Sequence, residues 1–392
     1  MAKSNFLKGK KFLFSALYFG GFAAFATFAL DFVFYSEKIG FTNTEIGLIF
    51  AVKLLMGILF QPLYGFLCDY LKSTRIVLLF MCVLSALLSA LIPLAPNKLI
   101  LLCIDFAYTF STCALMPLID NWVVSESVND SKIAYGKVRL WGSIGFAITA
   151  AIYGRITMFI DISNIYYGRA IFFVLLIILI CLNNSETAHV PGSSQKEKPD
   201  IAALFRKKEY WLFFTFLFIF FFPVMASGNF LPRLLLEMGT TNQTIALFNS
   251  LNAILEIPFF LGVRRLSKKI GPRGLMLIGG IFMTLRLVGL SSASSVPLLL
   301  AANFCFVPYI TLFMPGFIFY SHSIAPNNAK AFALTSLQGF AMGLAGMLGS
   351  YFSGLIVDYQ GIRYLYLYGS ILCIIGVVLF VFSSLLLRER RN

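Results

Sequence analysis

The sequence predicts an all-α membrane protein with twelve transmembrane helices in two pseudo-symmetric six-helix bundles. Of its 392 residues, 59% are hydrophobic and 12% are charged, whereas soluble domains average about 45–50% apolar and about 25% charged residues. The mean hydropathy of +0.85 agrees with this excess. Phe alone contributes 43 residues, which we assign to lipid-facing surface. This composition excludes a water-soluble domain of ordinary type.

Apolar runs along the chain define the individual helices, because a spanning helix needs about 20 apolar residues. Six runs precede the only long polar stretch and six follow it. The predicted spans are residues 12–36, 46–67, 77–95, 99–123, 137–158, 165–184, 210–232, 243–262, 275–293, 297–320, 331–356 and 363–387. The first run is much longer than the apolar core of a signal peptide, so we keep it as a helix.

The polar stretch between the two sets of helices contains Pro191 and the charged run 196–198. This composition is typical of a flexible linker. We therefore predict an N-terminal six-helix bundle at 1–184, a cytoplasmic linker at 185–209 and a C-terminal six-helix bundle at 210–392.

The net charge of +14 follows the membrane topology. If both termini are cytoplasmic, about 22 Lys and Arg residues fall in inner loops and termini, and about six in outer loops or their borders. The outer set is Lys38, Lys98, Arg155, Arg169, Arg233 and Arg363. This bias predicts a multi-pass protein of the cell inner membrane with both termini inside. It also assigns the basic charge to contact with the lipid bilayer and excludes nucleic acid as the partner.

Cysteine and histidine usage argues against metal or catalytic chemistry. The seven Cys residues lack paired spacing and nearly all lie in apolar runs, so we interpret them as small hydrophobes. Only His189 and His322 are present. We therefore expect no metal, no cofactor and no enzyme activity, and we expect a monomer.

Charged side chains inside the bilayer cost at least ~2.5–3.5 kcal/mol each and so mark functional sites. The candidates are Asp31, Lys53, Asp105, Asp120, Arg139, Glu256 and Arg286. Asp31 and Lys53, on the first two helices, can neutralise each other, and function and structure are equally compatible there. Asp105 precedes Asp120 by about 22 Å of helix, so we expect a helix-end charge near the outer surface.

Asp120 and Arg139 form the candidate substrate site. A short loop joins their helices, which places both side chains at similar depth. A carboxylate and a guanidinium can bind sugar hydroxyls as acceptor and donor, and Trp141 or Phe146 can cover the apolar face of a ring. The alternative is a structural salt bridge at the cytoplasmic ends of the two helices.

Glu256 and Arg286 form the candidate proton-coupling pair. Glu256 lies deep in the eighth predicted helix and Arg286 in the middle of the ninth. A carboxyl group in a low-dielectric site can load and release a proton near neutral pH. A neighbouring Arg286 would oppose or gate that exchange. The alternative is a permanent ion pair.

Two further features concern helix movement. In the loop after the second helix, Gly65 permits close approach, and Asp69 can cap the next helix or pair with a basic residue such as Arg75. Gly339, Gly343, Gly346 and Gly349 recur along the eleventh helix. They permit close packing, and a hinge role is an equally good interpretation.

The six-plus-six layout and the loop with Gly65, Asp69, Lys72 and Arg75 resemble the major facilitator superfamily. The loop departs from the signature of that superfamily at Tyr70, where a basic residue is usual, and at Lys72, where Gly is usual. The equivalent loop of the second half, 262–266, lacks the acid.

Within that superfamily the chain resembles the lactose permease, or oligosaccharide/proton symporter, group. The stretches 44–51 and 61–65 resemble its second helix, and Ile270-Gly271 leading to Arg286 resembles its ninth. The acid Asp120 after Pro117 and the motif Gly136-x-x-Arg139-x-Trp141-Gly142-x-x-Gly145-Phe146 resemble its fourth and fifth helices.

This resemblance implies that Asp120 and Arg139 bind a sugar and that Phe146 stacks on it. Asp stands where Glu is usual, and Phe where Trp is usual. The charged residues of the tenth helix are replaced by neutral ones around Asn303, Phe306 and Tyr309. Phenylpropionate-permease-like and nucleoside-symporter-like branches share this pattern more closely.

These observations predict a secondary active transporter that carries a sugar or nucleoside with a proton by alternating access. Uptake of an aromatic carboxylate, whose anion Arg139, Lys53 or Arg286 would hold, is the first alternative. A drug or metabolite efflux antiporter is the second. A membrane receptor would need a sizeable soluble domain, and an intramembrane enzyme a metal cluster or a Ser/Lys dyad; the sequence shows neither.

Overall fold

The computed structural model describes residues 9–129, 135–183, 201–326 and 329–389, which form twelve long helices and no strand. The helices are α1 Lys10–Ile39, α2 Asn43–Leu71, α3 Thr74–Leu94, α4 Lys98–Ser127, α5 Tyr135–Ile156, α6 Ile165–Leu182, α7 Lys208–Asn229, α8 242–270, α9 272–292, α10 Val296–Ile324, α11 Phe332–Tyr359 and α12 Ile362–Glu389. Two short helices, Ile201–Arg206 and Leu231–Glu237, flank α7. The predicted all-α class is confirmed.

Ten helices in the described residues are long and apolar enough to cross a bilayer. The other two are α5 and α8. These helices also contain predicted site residues, Arg139 on α5 and Glu256 on α8.

Irregular backbone interrupts several of the helical runs. Gly271 (φ 69°, ψ 175°), followed by Pro272, separates α8 from α9. Only Gly adopts this conformation without strain, and Pro cannot supply the N–H of a continuing helix. Segments of π-helix occupy Phe34–Ile39 in α1 and Leu337–Gly343 in α11. Such segments often occur at functional positions in helices.

The chain folds into two compact units. Unit 1 comprises Met1–Gly40, Met56–Ser194 and Thr241–Ile254. Within it, α1 packs against α5 and α6, and α3 packs against α6. A Cβ added at Gly145 of α5 would collide with the carbonyl oxygen of Phe19, so this glycine lets the α1 and α5 backbones touch.

Unit 2 comprises Phe41–Leu55, Gln195–Thr240 and Leu255–Asn392. Here α7 packs against α11 and α12. Buried Phe side chains fill the space between helices; the rings of Phe220 and Phe313, for example, stack with centroids 4.9 Å apart. The assignment of Phe to the lipid-facing surface therefore does not hold for these buried rings of unit 2.

The two units differ from the predicted halves in two segments, 41–55 and 241–254. In unit 2, the first residues of α2 are held by Asp358 of α11. Its carboxylate accepts hydrogen bonds from the backbone N–H groups of Asn43 (3.2 Å) and Thr44 (2.7 Å) and from both side chains. This arrangement caps the N-terminus of α2 with a carboxylate from another helix.

The predicted linker, 185–209, lies mostly outside the described residues. Its described end forms the helix Ile201–Arg206 and the start of α7. The division into bundles at 1–184 and 210–392 stays a prediction.

Candidate functional site

A tyrosine of α1 connects the predicted substrate-binding acid and arginine within unit 1. The Tyr18 hydroxyl donates a hydrogen bond to Oδ1 of Asp120 on α4. The guanidinium carbon of Arg139 on α5 lies 5.6 Å from the centre of the Tyr18 ring. Asp120 and Arg139 are partly buried, and Tyr18 is fully buried. Three helices thus hold an acceptor and a donor close to one aromatic ring.

A second aromatic residue supports the arginine. The Arg139 guanidinium carbon lies 4.1 Å from the centre of the Phe22 ring, within the range of a cation–π interaction. Gly142, one turn further along α5, makes room for this stack. A Cβ added there would lie 2.6 Å from Cδ2 of Phe22 and 2.9 Å from Nη1 of Arg139. The glycine of the motif is therefore part of the arginine's positioning.

The two aromatic candidates of α5 face different directions. Phe146 follows Arg139 by seven residues, close to two helical turns, and so shares its face. Trp141 follows by two residues, which turns it to another side of the helix. It is 46% exposed and lines an apolar groove of about 760 Å³ formed by α1, α5 and α6. The structure therefore leaves Phe146 as the candidate stacking residue and separates Trp141 from Asp120 and Arg139.

Sequence reasoning missed three contributors to this region. Tyr18 and Phe22 are spaced by one turn of α1, a pattern visible in the sequence, but nothing local shows which helix they face. Glu126, further along α4, is buried and accepts a 2.9 Å salt bridge from Lys10. Glu126 is visible in the sequence as a second acid after Asp120 on the same helix, but nothing in the sequence indicates that it is buried.

Asp31 has partners different from the one predicted. It lies in unit 1 and accepts a 3.0 Å hydrogen bond from the hydroxyl of Tyr166. Lys53 belongs to unit 2, where its Nζ lies 6.0 Å from the centre of the Phe50 ring. The sequence pairing of Asp31 with Lys53 rested on neighbouring helices alone and did not consider α6.

One prediction about the outer end of unit 1 is wrong. Asp105 is 2% exposed and accepts a 2.7 Å hydrogen bond from the Tyr35 hydroxyl, so it is not an exposed helix-end charge. Arg169, counted above with the outer loops and their borders, lies near the start of α6 and is also 2% exposed. Position along a helix gives depth, but burial depends on which neighbours surround the residue at that depth.

Arg286 lies in a neutral polar environment of unit 2. Its Nε donates a 3.0 Å hydrogen bond to Asn303, and its Nη1 a 3.0 Å hydrogen bond to the Ser227 hydroxyl. Its guanidinium carbon lies 5.1 Å from the centre of the Phe306 ring. Arg286 is 2% exposed, whereas Glu256 is partly buried. Joint action of Glu256 and Arg286 stays a prediction.

The loop between α2 and α3 differs in detail from expectation. Asp69 is exposed, and Nη2 of Arg75 donates a 2.7 Å hydrogen bond to the carbonyl oxygen of Cys181 at the end of α6. Among the described atoms, none lies within 4 Å of a Cβ added at Gly65, so close approach there is not observed. Lys72 has φ of 48°, a left-handed value that Gly adopts easily. This conformation explains why Gly is usual at that position in the superfamily signature.

The described residues contain no group of three or more His, Cys, Asp or Glu side chains arranged to hold a metal ion. The chemistry that this arrangement offers is hydrogen bonding to a polar ligand.

Comparisons with known proteins place this chain among transporters. The chain matches the model of the MFS_1 like family over residues 12–368. Maltose permease from Geobacillus stearothermophilus is 26% identical over 384 residues, which cover 97% of this chain and 96% of the permease. Raffinose permease from Escherichia coli is 24% identical over 370 residues, covering 85% and 83% of the two chains.

Solved structures agree on the fold. A crystal structure of a variant of the nucleoside transporter NupG matches with a TM-score of 0.85, covering 95% of this chain and 99% of that chain. The two sequences are 17% identical, so the likeness concerns the fold alone.

Proposed function

Because this chain belongs to the MFS_1 like family of the major facilitator superfamily, we propose that it is a secondary active transporter that carries a sugar or nucleoside together with a proton. It is a multi-pass membrane protein and a transporter, not an enzyme. Transport proceeds by alternating access, in which the substrate site opens to one side of the membrane at a time.

Relatives and the site chemistry support the same substrate class. The similar maltose and raffinose permeases carry the names of sugars, and the similar solved structure is that of a nucleoside transporter. Sugars and nucleosides share ring hydroxyls, which both donate and accept hydrogen bonds. A carboxylate that accepts and a guanidinium that donates match such hydroxyls.

Contact of Tyr18 with both Asp120 and Arg139 is the observation that carries this proposal. Asp120 accepts from ligand hydroxyls, Arg139 donates to them, and Phe146 covers the apolar face of the ring. Tyr18 and Phe22 hold the two charged groups in place. A structural salt bridge would need neither an aromatic platform for the arginine nor a glycine that makes room for it.

Coupling to the proton gradient is assigned in unit 2 to Glu256, with Arg286 adjusting its proton exchange. Glu256 is only partly buried, so it has access to a partner outside the apolar core. We place the protein in the cell inner membrane as a monomer with both termini in the cytoplasm. The loop residues Gly65, Asp69 and Arg75 act in the change of conformation and not in binding.

The substrate site is tested by replacing Asp120 with Asn in purified protein reconstituted into vesicles. Hydrogen bonds to charged groups contribute about 1.5–3 kcal/mol, so Asp120→Asn should weaken substrate affinity roughly 10- to 100-fold. The measurement is uptake of radiolabelled disaccharides and nucleosides under an imposed pH gradient, with binding measured by thermal shift.

Asp161→Asn is the matched control, because Asp161 is an exposed acid of the same unit. Its uptake should equal that of the unmodified protein. Full affinity in Asp120→Asn would remove Asp120 from the substrate site. If the imposed pH gradient changes the uptake of none of the substrates, proton symport is contradicted.

Arg286 supports a second candidate function, the uptake of an aromatic carboxylate. Its hydrogen-bond acceptors, Asn303 and Ser227, are neutral, and Phe306 lies beside its guanidinium. A buried guanidinium with neutral partners suits the carboxylate of an incoming anion, and the ring suits an aromatic body. If a phenylpropionate-like acid stabilises the protein and Arg286→Gln abolishes that effect, this second function replaces the first.

A further inference from the structure

The apolar groove of unit 1 that Trp141 lines is a second candidate binding site. It lies between α1, α5 and α6 and has a volume of about 760 Å³, within the range of about 300–1,000 Å³ that pockets for small molecules span. Tyr18, Asp120 and Arg139 are not among its lining residues. The groove is therefore separate from the candidate substrate site.

Small residues of α1 form the floor of this groove. Ala16 and Gly20 both line it and are four residues apart, so they share one face of the helix. A Cβ added at Gly20 would lie 3.2 Å from Cδ2 of Leu176, which shows that α6 closes the floor at this point. Larger side chains, among them Phe19 of α1 and Phe172 of α6, form the walls. The recess is thus built by the packing of long helices.

Polar groups occur where the groove reaches the start of α1. Lys11 lines the groove and is exposed, and Ser15, one turn further along the helix, lines it as well. Within the described part of the chain, neither side chain makes a hydrogen bond or an ion pair. The neighbouring Lys10 differs, because its Nζ forms a 2.9 Å salt bridge with Glu126. The groove therefore has a cationic end with two available donors.

The dimensions of the groove match one leaflet of a bilayer. Lys11 and Gly20 are nine residues apart in a helix that is long and apolar enough to cross a membrane. This separation corresponds to about 14 Å, and half of the hydrocarbon core of a bilayer is about 15 Å thick. A single acyl chain that starts beside Lys11 would fill the groove along α1.

Charge and aromatic residues favour an anionic headgroup at this end. The first eleven residues of the sequence contain four Lys and no Asp or Glu, and the first acid of the chain is Asp31. Basic clusters beside a spanning helix attract anionic lipids. Trp141, which is 46% exposed in the groove, is a residue type that is enriched at the level of lipid headgroups.

We propose that this groove is a binding site for an anionic phospholipid. One acyl chain lies on the floor formed by Ala16 and Gly20, and the lipid phosphate accepts a charge-assisted hydrogen bond from Lys11. The hydroxyl of Ser15 donates to an ester carbonyl, which lies deeper than the phosphate. The bound lipid joins three helices of unit 1 and stabilises the folded protein, because it binds the folded state alone.

The site depends on the protein being embedded in a membrane and not on the identity of the transported substrate or on proton coupling. Its test is thermal unfolding of the full-length protein in detergent with increasing proportions of added lipid. Phosphatidylglycerol is compared with phosphatidylcholine of the same acyl chains and with glycerol phosphate, which carries the anion without the chains. We expect phosphatidylglycerol to raise the unfolding midpoint at the lowest proportion and glycerol phosphate to leave the midpoint unchanged.

Two variants separate the headgroup from the chain. Lys11→Gln removes the charge, and the proportion of phosphatidylglycerol that gives half of the shift should rise about fivefold. Ala16→Phe fills the floor of the groove, and that proportion should rise at least tenfold, since excluding about two methylene groups already accounts for this factor. Each variant is compared with its own midpoint without lipid, so a change in basal stability does not affect the result.

Lys72→Gln is the matched control, because Lys72 is an exposed lysine of the same unit that does not line the groove. Its response to phosphatidylglycerol should equal that of the unmodified protein. An equal loss in Lys72→Gln and Lys11→Gln would mean that the lipid responds to overall charge, and this overturns the site.

The remaining outcomes are equally decisive. Equal shifts with phosphatidylglycerol and phosphatidylcholine in the unmodified protein overturn the recognition of an anionic headgroup. A full shift with glycerol phosphate replaces the lipid by a free anion. An unchanged response of Lys11→Gln or of Ala16→Phe places the lipid outside the groove and overturns the inference as well.

Discussion

At the scale of single residues, the site depends on side chains that carry no charge. Tyr18 touches both Asp120 and Arg139, and Phe22 lies under the guanidinium. Gly142 provides the space for that stack. The charged pair can be read from the sequence, whereas the residues that orient it become visible only in three dimensions.

Gly142→Ala tests this positioning. The added methyl group would lie 2.6 Å from Phe22 and 2.9 Å from Arg139, so the ring and guanidinium must separate. Overpacking of this kind costs about 1–3 kcal/mol, and we expect substrate affinity to fall roughly tenfold in a binding assay. Gly136→Ala, on the same helix but with open space around its Cβ, should bind normally. Equal affinity in the two variants would show that the stack on Phe22 does not matter.

The burial of Asp105 could not be predicted from its position along one helix. The distance from Asp105 to Asp120 along α4 predicts a position near the surface for Asp105, and that distance along the helix is correct. Its burial arises because Tyr35 and Arg169, from α1 and α6, surround it. Helix periodicity describes one helix at a time and contains no information about such partners.

At the scale of helices, glycine controls how closely neighbours approach. A Cβ added at Gly349 of α11 would collide with the carbonyl oxygen of Phe222 on α7, whereas none of the described atoms lies within 4 Å of one added at Gly339. Packing is therefore the role of Gly349, as one of the two interpretations of this glycine row predicted. Gly339 lies in the π-helical segment Leu337–Gly343 and does not pack closely.

Gly349→Ala should consequently destabilise the protein, while Gly339→Ala should not. Contact with a backbone oxygen cannot be relieved by a side-chain rotation, so α7 and α11 must move apart, at a cost of about 1–3 kcal/mol. Thermal unfolding in detergent is the measurement, and the midpoint of Gly349→Ala should fall by several degrees. Unfolding at the same temperature in both variants would mean that α7 and α11 adjust without loss.

Asp358 shows a second way in which helices are joined. Capping the start of α2 with a carboxylate satisfies two backbone N–H groups that a helix leaves without partners. Its sequence context at the end of α11 gives no indication of this role, because the donors lie 314 and 315 positions earlier.

At the scale of the whole molecule, the fold class and the resemblance to the lactose permease group are confirmed by the family match and by the sugar permease relatives. Orientation in the membrane stays a prediction that rests on about 22 basic residues against about six.

A reporter that is active only in the cytoplasm tests the orientation when it is fused after Asn392. We expect full activity there and none when the reporter is inserted at Asp161, in the loop between α5 and α6. Lys and Arg are retained on the cytoplasmic side during insertion, which is the physical reason for this result. Activity at Asp161 and none at the C-terminus would reverse the topology.

The sequence by itself determined the helices, their number and the residues whose charge is costly in a bilayer. Each of these properties is local: a run of apolar residues forms a helix long enough to span, and a charge within it stands out. Asp120 and Arg139 were found in this way because a short loop joins their helices.

Tertiary structure alone decided which charges meet. Asp31, Asp105 and Arg169 gather on α1, α4 and α6, and Arg286 lies among neutral groups of unit 2. Contacts between helices far apart in the chain depend on the rotation of each helix about its axis, which small residues and aromatic packing set. That rotation is a property of the packed molecule, so no single segment of sequence encodes it.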